Sequence, residues 1–414
     1  MPNILHLSHG FLQVGGLETF VREFINHSTD NDHILVTFGR NNNQLEFNRD
    51  IKHIHIESFY QVFNICIENN IDVINIHWTG PESLNGDGVV CLNLKPDDDL
   101  VKAWDLKVNP FAPEFYIKLK PGKQLTIDSN PFGVFEVVKL PEWRGKRPAV
   151  VVTCHSEFKI PKEYISGFNT EFVINVSDRA SETQKHLDVP QKTIYNGIDL
   201  STIPTFNPEP LSSYGDNVFW TGRLEKYDPE CYKATLESCY CQSLDFHYYG
   251  AGKVSDIERK NHNFLGQIPS EKVKESLLSV RGSVFLYPTL VDSFGLSVLE
   301  AMALGLPVVC SPVVSEVVGE SALVAYSPKQ YVEFLRLLSH PDTYRFYRIA
   351  GFNRSRQFTI QKTVKNYNVV YDEAIREVKR KTFSPLDIVK HYYNNSNTIT
   401  NQNSTLTEFT KTNS

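Results

Sequence analysis

Short apolar runs alternate with stretches of helical spacing along the first half of the chain. An apolar run of four to eight residues favours a buried strand, and apolar residues three or four positions apart favour a helix. The strand-like runs are Asn3–Ser8, His33–Thr37, Ile51–Ile56, Val73–His77, Ala149–Thr153 and Glu171–Val176, and the helical spacings are Leu17–Phe24 and Phe59–Glu68. Strands that alternate with helices predict βαβ units and a parallel sheet covered on both faces.

A second domain of the same style follows a break at residues 200–216, where proline, serine and glycine are crowded as in a linker. The strand-like runs there are Val218–Thr221, Leu244–Tyr249, Val284–Tyr287, Val308–Ser311 and Leu323–Tyr326, and helices are predicted at 229–241, 270–280 and 295–304. We therefore predict an α/β chain with a first domain at 1–199, a linker at 200–216 and a second domain at 217–359. A long helix begins at Ile360 within residues 360–391, and the polar tail 392–414 has too few apolar residues to fold.

Residues 81–148 interrupt the first domain and lack helical periodicity. Phe115–Leu119 and Val134–Val138 are strand-like, and Pro121-Gly122 and Asn130-Pro131 are turn signals. A structureless loop of this length would be unusual inside a compact domain. The segment is predicted to be a small β-rich insertion that enlarges an acceptor surface or mediates self-association, and Asp97-Asp98-Asp99 within it is interpreted as a solvated charged turn.

Composition and charge exclude several classes of protein. The chain has 414 residues, 41% of them hydrophobic, which excludes disorder of the whole chain. A net charge of −6 argues against a dedicated duplex-binding protein. Seven cysteines without paired C-x-x-C motifs argue against a zinc site or a disulfide framework. No signal peptide and no apolar run of membrane-spanning length is found, so a cytoplasmic location is expected.

The most informative segment is 284–311, which is predicted as strand, loop, helix and strand. Asp292 lies in the loop, and Glu300 lies in a helix whose Leu296, Leu299, Met302 and Ala303 are expected to pack on the sheet. A buried acid is costly unless it has a partner. The helix N-terminus between the two acids suits a phosphate, and the carboxylates suit sugar hydroxyls, so the segment favours a sugar nucleotide.

This segment resembles the signature of retaining nucleotide-sugar glycosyltransferases of GT-B fold, glycosyltransferase family four. That signature is an acid, seven residues, a glutamate and then Ala-Met-Ala-x-Gly-x-Pro-Val. The chain has Asp292, seven residues, Glu300 and AMALGLPVV, with aspartate in place of the family's usual glutamate. The resemblance implies two Rossmann-like domains across a cleft, a nucleotide sugar bound mainly by the second, retention of configuration, and neither metal nor cofactor. It also implies that the last helix crosses back to the first domain.

Further segments occur in the order that the family requires. The resemblance implies that Arg223 and Lys226 bind the donor diphosphate, although the family's lysine usually stands at the position of Asp228. It implies that Gly15, Gly16 and Gly250 approach the donor, that His155 contacts the transferred sugar, and that Ser293, Phe294, Gly295 and Leu296 belong to the donor site. Asp292 is expected to hold sugar hydroxyls and Glu300 the ribose. His77 is a weaker candidate, and Asn196-Gly197 and Glu316 are landmarks.

The resulting hypothesis is a retaining transferase that uses a UDP or GDP sugar and an acceptor that is a glycan, a lipid-linked glycan or a protein. Two alternatives stay open. One is a DNA-base-modifying sugar transferase, which the neutral insertion and the net charge disfavour. The other is a catalytically silent scaffold or sugar-binding subunit, which the aspartate at position 292 and the displaced lysine keep open.

Overall fold

A computed structural model of the chain describes two parallel sheets and a smaller antiparallel one. It describes residues 1–9, 16–38, 45–56, 60–79, 99–103, 115–119, 135–139, 148–162, 165, 170–204, 206, 214–222, 226–227, 229–241, 245–249, 262–266, 270–279 and 282–380. Two of the sheets are built from the alternating strands and helices that the sequence predicts, so the α/β class is confirmed. The predicted tail 392–414 lies outside the described residues.

The first domain is a parallel sheet of seven strands in the order β10-β9-β8-β4-β1-β2-β3. These strands are β1 Asn3–His9, β2 Asp32–Phe38, β3 Lys52–Ile56, β4 Val73–Trp78, β8 Ala149–Cys154, β9 Phe172–Asn175 and β10 Gln191–Thr193. Its helices are α1 Gly16–His27, α2 Tyr60–Glu68 and α3 Asp178–Gln184. Every residue of β4 and β8 is buried, as expected of central strands covered on both faces.

The interruption of the first domain contains a separate sheet. Strand β5, Asp99–Ala103, lies between β6, Phe115–Leu119, and β7, Phe135–Lys139, and pairs antiparallel with both. Asp99 therefore begins a strand, which corrects its interpretation as part of a charged turn, while Asp97 and Asp98 lie outside the described residues.

The second domain is a parallel sheet of six strands in the order β13-β12-β11-β14-β15-β16. These strands are β11 Asn217–Thr221, β12 Asp245–Tyr249, β13 His262–Phe264, β14 Ser283–Tyr287, β15 Val308–Cys310 and β16 Leu323–Val324. The helices are α4 Pro229–Cys241, α5 Ser270–Ser279, α6 Leu296–Ala303, α7 Ser315–Val318, α8 Pro328–Leu337 and α9 Pro341–Ser355. Among the residues that the structure describes, no helix is long and apolar enough to cross a membrane.

The last described helix, α10, Ile360–Arg380, returns to the first domain. Residues Val364, Tyr367, Val370 and Tyr371 pack in the core beside α1, which is the docking that the resemblance implies. The Asn75 amide of β4 donates a hydrogen bond to the Tyr371 hydroxyl at 2.8 Å. The chain enters α10 at a backbone bridge between Ile198 and Thr359, so the two crossings between domains lie side by side.

Candidate active site between the two sheets

The predicted site residues lie near the carboxyl ends of the two parallel sheets. His155 directly follows β8, Gly16 begins α1, and Asp292 lies in the loop after β14. Ligands of open α/β sheets bind outside the carboxyl ends of the strands. Three further residues predicted for the site, Gly15, Arg223 and Gly250, lie outside the described residues.

The Asp292 carboxylate organises the loop that precedes α6. One oxygen accepts hydrogen bonds from the backbone N–H groups of Phe294 at 3.0 Å and Gly295 at 3.1 Å, and the other accepts one from the Tyr287 hydroxyl. Burial, reinforced by the charge of Asp292, raises the pKa of Tyr287 well above its usual value, so this hydroxyl stays a donor. A carboxylate offers about four acceptor positions, so three donors leave about one for a ligand.

Gly295 allows the chain to turn into α6. Its φ of 91° is in the left-handed region, and a Cβ at this position would lie 2.8 Å from a methyl carbon of Val314. Any other residue would therefore be strained here and would also clash. No side chain in the described part of the chain caps this helix. Its first N–H groups are therefore left at an uncapped N-terminus, an arrangement suited to an anion.

The buried faces of α6 differ from the sequence expectation. Met302 packs in the core of the second domain as predicted. Leu299 and Ala303 instead join Val176 and Ile198 of the first domain in a cluster between the domains. Both sides of this helix are covered because it lies against its own sheet and against the neighbouring domain.

Phe294 belongs to the same cluster between the domains. Its side chain is 3% exposed and its ring lies 6.1 Å from that of Tyr195 in the first domain. The side chain of Phe294 therefore contacts protein, and only its backbone is left to contact a donor.

Glu300 has the partner that its burial requires. Its carboxylate lies 3.0 Å from the Lys274 ammonium of α5, and the two side chains are 18% and 25% exposed. Nothing in the sequence pattern singles out Lys274, because the pairing joins two helices that are separated by a strand.

The turn that leads to Arg223 is held by two buried tyrosines. Gly222 has a φ of 130°, and a Cβ there would collide with the Tyr227 hydroxyl. The Tyr248 hydroxyl donates to the Gly222 carbonyl at 2.7 Å. The Lys226 carbonyl accepts a hydrogen bond from the Leu290 N–H at 2.6 Å, so this segment is tied to the loop of Asp292.

His155 lies on the opposite side of the cleft, in the first domain. Its Nε2 is 3.0 Å from Nδ1 of His77, and its ring packs 5.0 Å from that of Phe20. Burial, with a smaller contribution from His77, lowers the pKa of His155 well below its usual value, so the imidazole is neutral near pH 7. Among the described residues, no atom would lie within 4 Å of a Cβ at Gly16, so these residues leave that position open.

Charged groups join the two domains beside this cleft. The Glu316 carboxylate accepts hydrogen bonds from the N–H groups of Asp178 at 3.1 Å and Arg179 at 3.2 Å, at the start of α3. Arg179 also donates to the Val313 carbonyl at 3.2 Å and to Glu157 at 2.7 Å. Glu157 follows His155 closely in the chain and accepts a backbone hydrogen bond from Asp292. These contacts place the loop of Asp292 against the first domain.

One group of described residues has the side chains of a metal site. Ligand atoms of Glu23, His27 and Asp199 all lie within 4.8 Å of one another. The Asp199 carboxylate, however, already accepts hydrogen bonds from the N–H and hydroxyl of Ser201, at 2.9 and 2.7 Å. Hydrogen bonds within the protein therefore explain why these three side chains lie together.

Comparisons with known proteins agree with this geometry. Residues 215–340 match the model of the family described as glycosyl transferases group 1. The second domain is a group 1 glycosyl transferase domain, and the chain has the GT-B fold. The resemblance to a group 1 glycosyltransferase of GT-B fold is thereby confirmed, while retention of configuration stays a prediction.

One curated relative is O-antigen chain mannosyltransferase B of Escherichia coli, which is 47% identical over 64 residues. That alignment spans 15% of this chain and 16% of the relative. Sucrose-phosphate synthase of Thermosynechococcus elongatus has a similar structure, with a TM-score of 0.61 and 13% identity over 91% of this chain and 100% of that one. Anabaena HepE in complex with UDP and glucose gives a TM-score of 0.59 and 13% identity over 89% and 99% of the two chains.

Proposed function

We propose that the protein is a retaining glycosyltransferase that moves a sugar from a UDP or GDP sugar to an acceptor. The observation that carries this proposal is the Asp292 and Glu300 pair on either side of an uncapped helix N-terminus, within the domain matched by the family model. An anion site flanked by two acids suits a diphosphate with hydroxyl-bearing groups at both ends. His155 contributes from the facing domain.

The relatives support a nucleotide-sugar donor. The Escherichia coli relative is named a mannosyltransferase, and the Anabaena structure holds UDP and glucose. Both names fit a hexose donor, which we propose for this chain as well.

Glu300 is proposed to bind the ribose hydroxyls of the nucleotide. Its ion pair with Lys274 holds the carboxylate in place and offsets part of the cost of its burial. Asp292 is proposed to bind a hydroxyl of the sugar through its remaining acceptor position. Because its other positions hold the loop, the carboxylate is already oriented before the donor binds.

The leaving diphosphate would be stabilised by Arg223, Lys226 and the N-terminus of α6. The guanidinium of arginine can bind a phosphate through two N–H groups at once. Removing one preorganised donor of this kind typically lowers kcat by about 10²–10³. Gly16, whose surroundings are open, would let the first domain approach the phosphates closely. These cationic groups are proposed to replace a metal ion.

The first domain and its insertion are proposed to recruit the acceptor. The names of the relatives point to a glycan or a glycolipid, since one acts on O-antigen chains and WaaG, another protein of similar structure, functions in lipopolysaccharide biosynthesis. A protein acceptor remains the alternative, and the cytoplasm remains the proposed location.

The proposal is tested by a thermal-shift screen of UDP and GDP sugars, with NAD and NADP as controls. A ligand specific for the native state stabilises it by about 2.7 kcal/mol at a hundredfold excess over its Kd. One UDP or GDP species should raise Tm, and slow donor hydrolysis followed by NMR should release the sugar with its original anomeric configuration. A shift with nicotinamide cofactors alone would refute the proposal, and binding without hydrolysis or transfer would identify a silent binding subunit.

A further inference from the structure

Four histidines form a hydrogen-bonded row across the first sheet. Each comes from one of four neighbouring strands: His33 from β2, His6 from β1, His77 from β4, and His155 from the end of β8. The ring nitrogens are 2.9 Å apart between His33 and His6, 3.0 Å between His6 and His77, and 3.0 Å between His77 and His155. We call these residues the histidine row.

His33 forms the inner end of the histidine row, and His155 forms the outer end. The contacts of His33 determine which nitrogen of each ring carries the proton. His33 Nε2 lies 3.2 Å from the Ser28 carbonyl oxygen, which can only accept a hydrogen bond. In neutral His33, Nε2 therefore carries the proton and Nδ1 accepts from His6 Nε2. The same reasoning applied to His6 and His77 makes each ring a donor at Nε2 and an acceptor at Nδ1.

At the outer end, His155 must donate from Nε2 to His77. Its own Nδ1 is then unprotonated, and it makes no hydrogen bond to any residue that the structure describes. The reverse direction would place a lone pair of His33 against the Ser28 carbonyl oxygen, and a buried acceptor without a donor costs about 1–3 kcal/mol. The histidine row therefore has one preferred direction.

The surroundings keep the histidine row uncharged. His6, His33 and His77 are at most 5% exposed, and the rings of Phe20 and Phe24 of α1 pack against the row. Arg49 donates to the same Ser28 carbonyl at 2.8 Å, and its charge opposes an imidazolium at the inner end. A proton passed along the row from His155 would end on His33 beside this arginine, so the row is suited to orienting protons rather than conducting them.

We propose that His6, His33 and His77 are positioning residues that hold His155 as the neutral Nε2–H tautomer, with Nδ1 presented as a hydrogen-bond acceptor to a hydroxyl of the substrate. The tautomer follows from the structure alone, while the hydroxyl contact rests on the proposed function. His155 Nδ1 can accept a hydrogen bond but cannot donate one. A nucleotide sugar with a hydroxyl facing Nδ1 should therefore be preferred over the analogue that lacks this hydroxyl.

The direct test is NMR of the protein labelled with ¹⁵N-histidine, which distinguishes the two neutral tautomers and the imidazolium. The His155 signal is assigned by its loss in His155→Gln. We expect an Nε2–H tautomer for His155 in the unmodified protein from pH 7 to pH 6. An Nδ1–H tautomer or a cationic His155 at pH 7 would overturn the proposal without any reference to activity.

Three variants test the role of the inner end. His33→Leu removes the acceptor for His6, so His155 should become a mixture of tautomers. The kcat for transfer should fall about twofold for an even mixture and at most about tenfold, the size of one hydrogen bond, with an unchanged Kd for the nucleotide. His33→Gln keeps one hydrogen-bond donor for the Ser28 carbonyl and one acceptor for His6. It should therefore restore both the Nε2–H tautomer of His155 and kcat. Leu35→Ala, which truncates a buried residue on the same face of β2, should lower stability but keep the tautomer.

The outcomes separate this inference from the proposed function. An unchanged His155 tautomer in folded His33→Leu would overturn the inference, and the measurement on the unmodified protein decides it if that variant does not fold. Correct tautomers in a protein that transfers no sugar would leave the histidine row established and refute only the glycosyltransferase function.

Discussion

Lowering the pH from 7 to 5.5 should destabilise the protein strongly, because three histidines are buried in neutral form in the first sheet. Burial lowers the pKa of His77 from 6.5 to about 3, and burial together with Arg49 lowers that of His33 to about 4. The pKa of His6 also lies well below its usual value, mainly through burial and further through His33 and His77. These shifts make the folded state bind fewer protons than the unfolded chain at mildly acidic pH.

The sign and the size follow from proton linkage. A group whose pKa is lower in the folded state contributes full stability above its unfolded pKa, and this contribution is lost as the pH falls below that value. Between pH 7 and pH 5.5 each of the three histidines loses about 1 kcal/mol of this contribution, so the three together lose roughly 3–4 kcal/mol. That loss is a large part of the roughly 5–15 kcal/mol that stabilises a typical domain.

The assay is urea denaturation at several pH values, because the slope of the unfolding free energy against pH counts the protons taken up on unfolding. Near pH 5.5, His33→Leu should reduce that count by about one, whereas His340→Gln, at an exposed position, should not change it. An unfolding free energy that is independent of pH between 7 and 5.5, or an unchanged count in His33→Leu, would refute the reasoning.

Four further predictions concern the cleft. Glu300→Gln should weaken nucleotide binding about 10- to 100-fold in calorimetry, because charged hydrogen bonds to the ribose are lost. Lys274→Gln should weaken binding less, and equal affinities in the unmodified protein and both variants would contradict the role of Glu300. Asp292→Asn should lower kcat while the nucleotide Kd changes little, and a large change in Kd alone would argue against a sugar contact. Glu316→Gln weakens the acceptor for two N–H groups of the facing domain, so the two domains should be held together less firmly. X-ray scattering without ligand should then give a larger radius of gyration, and an unchanged radius would show that this contact does not hold the domains together. Replacing 81–148 by a short linker should preserve donor hydrolysis, because loop length costs little closure entropy. It should change either transfer to the acceptor or the mass in solution. If transfer and mass both stay the same, the insertion neither binds the acceptor nor mediates self-association.

The sequence predicted the central strands of both parallel sheets, and it also predicted the edge strands Lys52–Ile56 and Leu323–Val324. Long β-branched runs such as Ala149–Cys154 leave little alternative to a central strand. Two edge strands, Gln191–Thr193 and His262–Phe264, were not predicted, since each has three residues and at most one of them is apolar. Asp99–Ala103, the central strand of the insertion's sheet, was not predicted because the aspartates at its start indicated a turn.

Two of the helices that the sequence analysis did not place had readable signals. Ser177 and Ser327 each accept a hydrogen bond from an N–H of the first turn that follows, and a proline stands after Ser327. Serine before a first turn and proline at its start are common signals of a helix N-terminus.

The candidate site could be predicted in part because its motif is contiguous. Asp292, Glu300 and Gly295 lie in one segment whose spacing carries the signal. Lys274 and the histidine row could not be predicted, because the contacts join residues far apart in the chain. A histidine in a strand covered on both faces breaks no alternation, so neither His6 nor His33 stands out until the order of the strands is known.

The exchange of the family's usual glutamate for Asp292 has a structural counterpart in the loop before α6. An aspartate carboxylate readily reaches the N–H groups two and three residues ahead, as this one does. A glutamate would carry its carboxylate one methylene further from the backbone. The acid at this position therefore holds its own loop and has about one acceptor position left for a sugar hydroxyl. His155 Nδ1, in the facing domain, would accept from the same sugar, so binding by both residues requires the arrangement of the two domains that Glu316 and Arg179 hold together.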